Sequence, residues 1–226
     1  MDFKIITDSC CDLPKKILNK IETIPMSLTI DGVSYKDGVN LSKEKFYNLL
    51  QKAKDFPGSA APSPYDYLNQ YNIEDKSIFV FTVSSSLSSS YNNAVIAKNQ
   101  LIKQFSKKGE IAIHVFDSLN ASIGQGLAIL KLRELIDNNL PHPKIIESIE
   151  KYISETKTFF VLENMDNLIN SGRINKILGK IVSALNIKLI MGKTDDGEIE
   201  LYDKVRGSKR AFKKLLKTIG KHGSKV

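Results

Sequence analysis

Six serines occupy the seven positions from Ser84 to Ser90 and concentrate hydroxyl groups in one short stretch of the chain. The preceding residues, 78–83, are β-branched and aromatic without alternation, which predicts a strand buried on both faces of a parallel sheet. Residues 92–105 then carry apolar side chains at helical spacing. The serines therefore lie between a strand and a helix, where open α/β sheets bind ligands. Hydroxyls and unpaired backbone N–H groups there can form a neutral cradle for a carboxylate or a phosphate.

A plainer interpretation of the serine run is a low-complexity loop in which one serine caps the following helix. Flexible Ser-rich linkers usually separate domains and do not directly follow a buried strand, so the anion cradle is favoured. We interpret the run as an anchor for a ligand and not as a catalytic centre.

Two further predicted strands also end in polar side chains. Residues 3–7 lead into Asp8 and Ser9, and residues 111–116 lead into Asp117 and Ser118. Because parallel strands end at a shared edge of the sheet, we expect these groups to lie near the serine run. Two glycines that permit close approach of the backbone, Gly124 and Gly126, precede a long predicted helix.

Several kinds of site lack the residues that they need. No G-x-G-x-x-G or G-x-x-x-x-G-K-[ST] sequence occurs, so no ATP site is predicted. Cys10 and Cys11 are adjacent and are read as reduced thiols, and three scattered histidines give no metal-ligand spacing. A serine hydrolase acting on a lipid-like substrate is an alternative function, but G-x-S-x-G is absent and His114 is predicted to be packed within a strand.

The formal charge of +8 is confined to the end of the chain. Residues 206–226 hold eight of the 33 basic residues and no acid, which leaves 25 basic against 25 acidic residues elsewhere. A nucleic-acid-binding tail is the second alternative, but Phe212 is the only Phe, Tyr or Trp among residues 206–226 for base stacking, so no specific nucleic acid is expected. We predict an amphipathic helix that is suited to an acidic protein partner or to transient contact with an anionic membrane. Its predicted inward residues are Ala211, Leu215, Leu216 and Ile219, and its predicted outward residues are Lys209, Arg210, Lys213 and Lys217.

The remaining patterns predict two α/β domains. Asp31-Gly32 fits a type I′ turn in a hairpin at 26–36, and residues 56–64 form a candidate ordered loop in which Ser63 caps a helix. The predicted domains are 1–142 and 143–226, with the hairpin as a candidate for packing against the second domain. With no apolar run of about 18 residues and no signal-peptide pattern, a cytoplasmic protein is expected.

Motifs along the whole chain resemble those of the DegV family of fatty-acid-binding proteins, which serve bacterial fatty acid kinase. They are Thr7-Asp8-Ser9 with Asp12-Leu13, Asp37-Gly38, Phe56-Pro57 through Pro62-Ser63-Pro64, Leu87-Ser88-Ser89-Ser90-Tyr91, Asp117-Ser118 with Gly124-Gln125-Gly126, and Ser171-Gly172-Arg173-Ile174. Each motif is weak alone, and their order and spacing together are specific.

The resemblance implies an N-terminal parallel α/β/α domain and a second α/β domain with a mixed sheet. It also implies a carrier without catalytic residues, cofactor or metal, which buries a long acyl chain in an apolar tunnel and presents the carboxylate to a fatty acid kinase for phospholipid metabolism. Ser59 and Ser88 match hydroxyls that bind the carboxylate. The full predicted binding set is Ser9, Ser59, Ser88, Ser89, Ser90, Ser118 and Gly124, and the predicted partner contacts are Arg173 and Arg206.

The chain departs from the family pattern at several positions. Ala60 and Ala61 replace a Ser and a Gln, Ser89 replaces a glycine, and Ser171 replaces the first glycine of a G-G-R motif. Family members also continue for some tens of residues with a glycine-rich motif, so the second domain is expected to be incomplete. Neither the length of the acyl chain nor the oligomeric state is encoded in any of these patterns.

Overall fold

The computed structural model describes residues 3–71, 77–105, 112–162, 165–174 and 187–223, in two compact units, 1–155 and 156–226. The strands of the first unit are β1 (Phe3–Asp8), β2 (Glu22–Ile24), β3 (Ser27–Ile30), β4 (Val33–Lys36), β5 (Gly58–Ala60), β6 (Ser77–Thr82) and β7 (Ala112–Asp117). Its helices are α1 (Lys15–Leu18), α2 (Lys43–Lys52), α3 (Pro64–Leu68), α4 (Ser90–Phe105), α5 (Ile123–Asp137) and α6 (His142–Glu155).

Four parallel strands form the main sheet of the first unit in the order β2-β1-β6-β7. The strand β6 lacks alternation because both of its faces are covered, as expected for a parallel sheet. Phe79 and Phe81 point into a cluster formed with α5 and α6, whereas Ile78 and Val80 point into a cluster formed with α3 and α4. The predicted parallel α/β/α domain is therefore confirmed.

A small antiparallel sheet of order β4-β3-β5 lies in the same unit. The predicted hairpin is present, and Asp31 and Gly32 both adopt the positive φ angles, 46° and 78°, that a type I′ turn requires. The segment 58–60 was expected to be a loop and instead pairs with β3 as β5. Its small residues carry no apolar alternation, because backbone pairing and not side-chain burial defines this edge strand. Packing of the hairpin against the second domain stays a prediction.

The first unit extends beyond the boundary predicted at residue 142. Helix α6 belongs to it because Ile145, Ile149 and Ile153 are buried in the same cluster as α5 and β6. The pattern Pro141-His142-Pro143, interpreted as a linker, instead contains the start of this helix.

The second unit contains β8 (Phe159–Leu162), α7 (Asp166–Asn170), β9 (Ile187–Lys193), β10 (Ile199–Arg206) and α8 (Ser208–His222). Its described strands pair in the order β10-β9-β8, and all of these pairings are antiparallel where a mixed sheet was expected. The helix predicted around Ile177, Ile181 and Leu185 lies outside the described residues. Among the helices that the structure describes, none has the length and apolar character of a membrane span.

Helix α8 exposes two side chains that were predicted to face inward. Leu216 is 55% exposed and Ile219 46%, and Phe212 beside them is 61% exposed. The buried positions are Ala211 and Thr218, so the face that packs on the sheet is narrower than the apolar face of the helix. The helix consequently presents an apolar stripe, Phe212, Leu216 and Ile219, next to its lysines.

Candidate functional site: a hydroxyl cradle at the switch point of the sheet

The serine run lies at the topological switch point of the main sheet. From β1 the chain first adds β2 on one side, and later adds β6 and then β7 on the other side. Open α/β sheets bind ligands in the crevice where the strand order reverses, at the carboxyl ends of the strands. Here the strand order reverses between β1, which ends at Asp8, and β6, which is followed directly by Val83.

The carboxylate of Asp8 joins three segments at this switch point. It is fully buried, and its Oδ2 accepts the N–H of Val83 at 2.8 Å. Its Oδ1 accepts the N–H of Cys10 at 3.2 Å and the Nε2–H of Gln125 at 2.9 Å. The loops after β1 and β6 and the start of α5 are therefore held together by one acidic side chain.

Burial raises the pKa of Asp8 above its usual range, because the charged form loses its hydration. Hydrogen bonds from Gln125, Val83 and Cys10 oppose this shift without cancelling it. Asp8 is thus a buried acid stabilised by neutral donors.

The serines divide into exposed and structured groups. Ser85, Ser86 and Ser89 are exposed, whereas Ser88 is half-buried and Ser90 is fully buried. The hydroxyls of Ser88 and Ser90 lie 3.1 Å apart, and Ser88 Oγ also accepts the N–H of Ser90 at 3.2 Å. Ser88 therefore lies between the surface and the buried Ser90, in a position suited to meet an anionic headgroup.

Two predicted ligand contacts have local roles in the structure. Ser9 Oγ accepts the N–H of Met26 at 3.1 Å and so supports the chain before β3. Ser118 is fully buried, and its hydroxyl donates to the carbonyl of Asn120 at 3.0 Å. That bond uses the only hydroxyl proton of Ser118, so Ser118 has no proton left to donate to a headgroup in this geometry. Its contact with a ligand stays a prediction.

The glycines of α5 allow close packing within the protein. A Cβ at Gly124 would collide with the side chain of Asn120, and a Cβ at Gly126 would lie 2.9 Å from the carbonyl oxygen of Cys11. The expected close approach to the backbone of these glycines is present. The groups that approach them belong to the adjoining loops of the protein. Contact of Gly124 with a ligand stays a prediction.

Ser59 lies on β5, opposite Leu28 of β3, and is exposed. The following loop is anchored to α4, because Asn93 Nδ2 donates to the carbonyl of Pro62 at 2.7 Å. Ser63 caps α3 through a reciprocal capping box with Asp66, which confirms its predicted role as a helix cap. The loop that follows Ser59 is thus fixed to the helix that begins at Ser90.

Two buried polar atoms beside the cradle lack a hydrogen-bond partner within the described residues: the hydroxyl of Tyr67 and Oε1 of Gln125. Ser90 is a neighbour of the Tyr67 hydroxyl, but no hydrogen bond of acceptable geometry joins them. Burial raises the pKa of Tyr67, so this hydroxyl stays neutral.

Sequence reasoning did not assign Gln125, Asn93 or Tyr67 to the site. Gln125 lies between two glycines in the motif Gly124-Gln125-Gly126, which follows the end of a strand. That position was the only sign of its role in the sequence. Asn93 and Tyr67 act through tertiary contacts that no spacing in the chain encodes.

The predicted partner contacts lie in the second unit. Arg173 is exposed, and its Nη1 donates to the carbonyl of Ser171 at 2.9 Å. Arg206 is exposed at the end of β10, opposite Ile187 of β9. Both guanidinium groups are at the surface, and their contact with a partner stays a prediction.

A cavity of about 250 Å³ lies between β7, α4 and α6 in the first unit. His114 lines it and is half-buried, with its ring 4.3 Å from that of Phe116. Burial lowers the pKa of His114 to about 4, although Glu150 lies 3.6 Å from its Nε2. Glu150 is 61% exposed, so solvent screens its charge and burial dominates. Among the described residues, no three His, Cys, Asp or Glu side chains converge as a metal site.

The chain belongs to the DegV family, whose model, described as an uncharacterised protein of the DegV family, matches residues 2–225. A DegV domain-containing protein of Streptococcus pyogenes serotype M18 is 33% identical over 227 residues, which cover 99% of this chain and 80% of the relative.

Solved structures with the same fold contain fatty acids. A DegV-family protein of Ruminococcus gnavus, refined with vaccenic acid, has a TM-score of 0.92 and 34% identity over 100% of this chain and 80% of its own. The Fatty Acid Kinase (Fak) B3 protein of Streptococcus pneumoniae, loaded with linoleic acid, has a TM-score of 0.84 and 34% identity, and covers 96% of this chain and 79% of its own. This chain is similar to proteins that bind long-chain fatty acids.

Proposed function

We propose that this protein binds a long-chain fatty acid, with the carboxylate at the cradle formed by Ser88 and its neighbours and the acyl chain in an apolar interior tunnel. The observation that carries the proposal is the pair of hydroxyls, Ser88 and Ser90, at the switch point of the sheet. The fatty-acid-bound relatives of 34% identity support the class of ligand.

The proposed division of binding energy follows from the chemistry of the ligand. Transfer of ~14 methylenes from water at about 0.8 kcal/mol each gains on the order of 11 kcal/mol, so the tunnel provides most of the affinity. The hydroxyls then have to satisfy the carboxylate, because a buried charge without partners costs several kcal/mol. Neutral donors achieve this without the desolvation of a lysine or an arginine.

We further propose that the protein is a non-catalytic carrier that presents the carboxylate to the catalytic subunit of a fatty acid kinase in the bacterial cytoplasm. The similarity to the Fak B3 protein and the absence of nucleotide-binding motifs from the sequence support this role. Arg173 and Arg206 are the proposed contacts with the kinase.

The direct test is mass spectrometry of the protein purified from bacteria and then denatured. Co-purification of one fatty acid per chain is the expected result, and the mass gives the chain length and unsaturation. Titration of delipidated protein with oleate or palmitate should give saturable binding. Absence of a bound lipid together with absence of saturable binding would refute the proposal.

An anionic membrane is the second proposed partner, and helix α8 is its proposed contact. The helix carries six basic residues and no acid, and it exposes Phe212, Leu216 and Ile219 beside them. Helices that lie in the interface of a bilayer combine an apolar stripe with lysines in this way. The lysines alone fit an anionic lipid surface and an acidic protein equally well. The exposed apolar stripe beside them favours the lipid surface.

A further inference from the structure

The hydroxyl of Ser88 is bound twice by one neighbouring residue, Ser90. Ser88 Oγ accepts the backbone N–H of Ser90 at 3.2 Å and lies 3.1 Å from Ser90 Oγ. Within the described residues, these are the hydrogen bonds that the Ser88 hydroxyl makes. Ser88 is half-buried, whereas Ser90 is fully buried at the first position of α4. The half-buried hydroxyl is therefore supported from the buried side by a single residue.

The direction of the bond between the two hydroxyls decides what Ser88 can offer to a ligand. A serine hydroxyl has one proton and two lone pairs, and the N–H of Ser90 occupies one lone pair of Ser88 in either direction. When Ser90 donates, both lone pairs of Ser88 are occupied and its proton is free. When Ser88 donates instead, it keeps one lone pair and has no proton to offer.

A carboxylate requires the first of these two arrangements. It can only accept hydrogen bonds, so it needs the proton of Ser88. A lone pair of Ser88 facing the carboxylate would leave part of its charge unsatisfied, which is costly in a partly buried site. A hydroxyl that accepts a hydrogen bond also becomes a better donor, because bonds in a chain polarise one another. Binding of an acceptor-only headgroup therefore selects donation from Ser90 to Ser88.

The Ser90 hydroxyl has one other acceptor within the described residues, the sulfur of Met26 at 3.8 Å. A thioether is a weak acceptor, so the oxygen of Ser88 is the better partner for the Ser90 proton. Both acceptors are already within reach of Ser90 Oγ. Rotation of the Ser90 hydroxyl alone therefore exchanges them, without a change in the backbone.

We propose that Ser90 is a positioning residue that makes Ser88 a dedicated hydrogen-bond donor and thereby selects a carboxylate over headgroups that also donate. In the free protein Ser88 donates to Ser90 and Ser90 to Met26, and in the complex Ser90 donates to Ser88 and Ser88 to the carboxylate. Ser90 thus acts through Ser88 and not by its own contact with the ligand. The proposal rests on the proposed function, because it requires the headgroup at Ser88.

The test is a double-mutant cycle on the delipidated full chain, with Ser88→Ala, Ser90→Ala and both together. Ser90→Ala keeps the backbone N–H that Ser88 accepts and removes only the hydroxyl. It should raise the Kd for oleate by about three- to tenfold in the parent background and by less than about twofold beside Ser88→Ala. Displacement of a fluorescent long-chain fatty acid measures each Kd. An equal rise in both backgrounds, or no rise in the parent background, would overturn the inference.

Oleyl alcohol separates the role of the Ser88 proton from a general effect on the fold. Its hydroxyl can donate as well as accept, so in Ser90→Ala it can donate to the lone pair of Ser88 that the substitution frees. The Kd for oleyl alcohol should therefore rise by less than about twofold, and the preference for oleate should fall. A purely structural role of Ser90 would weaken both ligands equally, and that result would overturn the inference.

A conservative variant keeps the donor at the same position. Ser90→Thr retains a hydroxyl and should retain the preference of the parent protein for oleate over oleyl alcohol. This result would separate loss of the hydroxyl from disturbance of the start of α4. Loss of the preference in Ser90→Thr with native circular dichroism would overturn the role of the hydroxyl.

Met26→Leu is the matched control, because it removes the other acceptor of the Ser90 hydroxyl and nearly conserves side-chain volume. Since the sulfur is a weak acceptor, the Kd for oleate should stay within about twofold of the parent value. A rise as large as that of Ser90→Ala would show that Ser90 acts through Met26 and would overturn the inference. Failure of the parent protein to bind any fatty acid would instead refute the proposed function, so the two failures are distinguishable.

Discussion

Asn93 donates a 2.7 Å hydrogen bond from its Nδ2 to the carbonyl oxygen of Pro62. This bond joins the first turn of α4, which begins at Ser90, to the loop that follows Ser59. Ser59 and Ser88, which the family resemblance predicts to bind one carboxylate, therefore belong to segments that are fixed to each other.

Asn93→Ala should weaken binding of oleate and should lower the stability of the fold by a similar amount. The loop of residues 56–64 loses an anchor, and its carbonyl at Pro62 can be hydrated because the site is only partly buried. We expect a tenfold or smaller rise in Kd and a loss of about 1 kcal/mol in the free energy of unfolding, measured by calorimetry and urea denaturation. The exposed neighbour Asn92→Ala is the control, and an equal effect of both substitutions would contradict a specific anchoring role.

Ser88→Ala and Ser59→Ala should each weaken fatty-acid binding by about 1–3 kcal/mol, because each removes a hydrogen bond to a charged acceptor. Ser63→Ala is the matched control, since Ser63 caps α3 and should affect stability by about 1 kcal/mol with little effect on binding. Isothermal titration with palmitate measures all three. Parent-like binding by the Ser88 and Ser59 variants would show that the carboxylate lies elsewhere.

Much of the first unit could be predicted because the relevant signals are local. Buried strands without alternation, the Asp31-Gly32 turn and the Ser63 cap each depend on a few adjacent residues. The strand order, in contrast, was not predicted, although hydroxyl and carboxyl groups at the strand ends indicated which edge of the sheet would be functional.

The errors share a physical cause, which is that burial depends on partners distant in sequence. Residues 58–60 become a strand because β3 offers its backbone, and α6 joins the first unit because its isoleucines meet β6 and α5. Leu216 and Ile219 were assigned inward by periodicity alone, but the sheet covers only a narrow face of α8. The roles of Asn93 and Gln125 likewise come from tertiary hydrogen bonds.

Arg173→Ala should reduce the turnover of fatty acid by a supplied fatty acid kinase and leave the melting temperature of the carrier nearly unchanged. The arginine is exposed, and its Nη1 donates to the nearby carbonyl of Ser171, so its loss should cost ~0–1 kcal/mol of stability, as for an exposed ion pair. Lys52→Ala, at an exposed lysine of α2, is the control. A large loss of stability with unaltered turnover would contradict a role in partner contact.

The stability of the protein should depend on His114 below neutral pH. The pKa of His114 is about 4 in the folded protein against 6.5 for the ordinary side chain, so the unfolded chain binds more protons between these values and stability falls as pH is lowered from about 6.5 to 4. His114→Gln changes the free energy of unfolding by some amount at each pH. That change should be more favourable at pH 5 than at pH 7 by on the order of 1–2 kcal/mol, because glutamine takes up no proton in the unfolded chain. Urea denaturation at both pH values measures this difference. Glu150→Gln should change it little, and equal pH dependence in the parent and the His114 variant would exclude the assignment.

Helix α8 supplies the last prediction, because its charge and its apolar stripe can be changed separately. A triple substitution of Lys209, Lys213 and Lys217 to Gln should lower association with vesicles containing phosphatidylglycerol by about fivefold per lysine at low salt. The difference should shrink at physiological salt, where the Debye length is about 8 Å. Affinity for oleate should not change, because burial of the acyl chain is proposed to provide most of the affinity and the headgroup is proposed to bind at Ser88.

The double substitution Phe212→Gln and Leu216→Gln tests the other half of the same surface. Both side chains are more than half exposed, so the fold should tolerate the change. Vesicle association should fall although the charge is unchanged, because the apolar stripe no longer enters the interface. Phe56→Gln, at a phenylalanine that is 57% exposed in the first unit, is the matched control.

If the lysine variants lose association with a fatty acid kinase while the Phe212 and Leu216 pair has no effect on vesicles, the partner of α8 is an acidic protein surface. Loss of oleate binding in the lysine triple variant would instead place α8 at the ligand site.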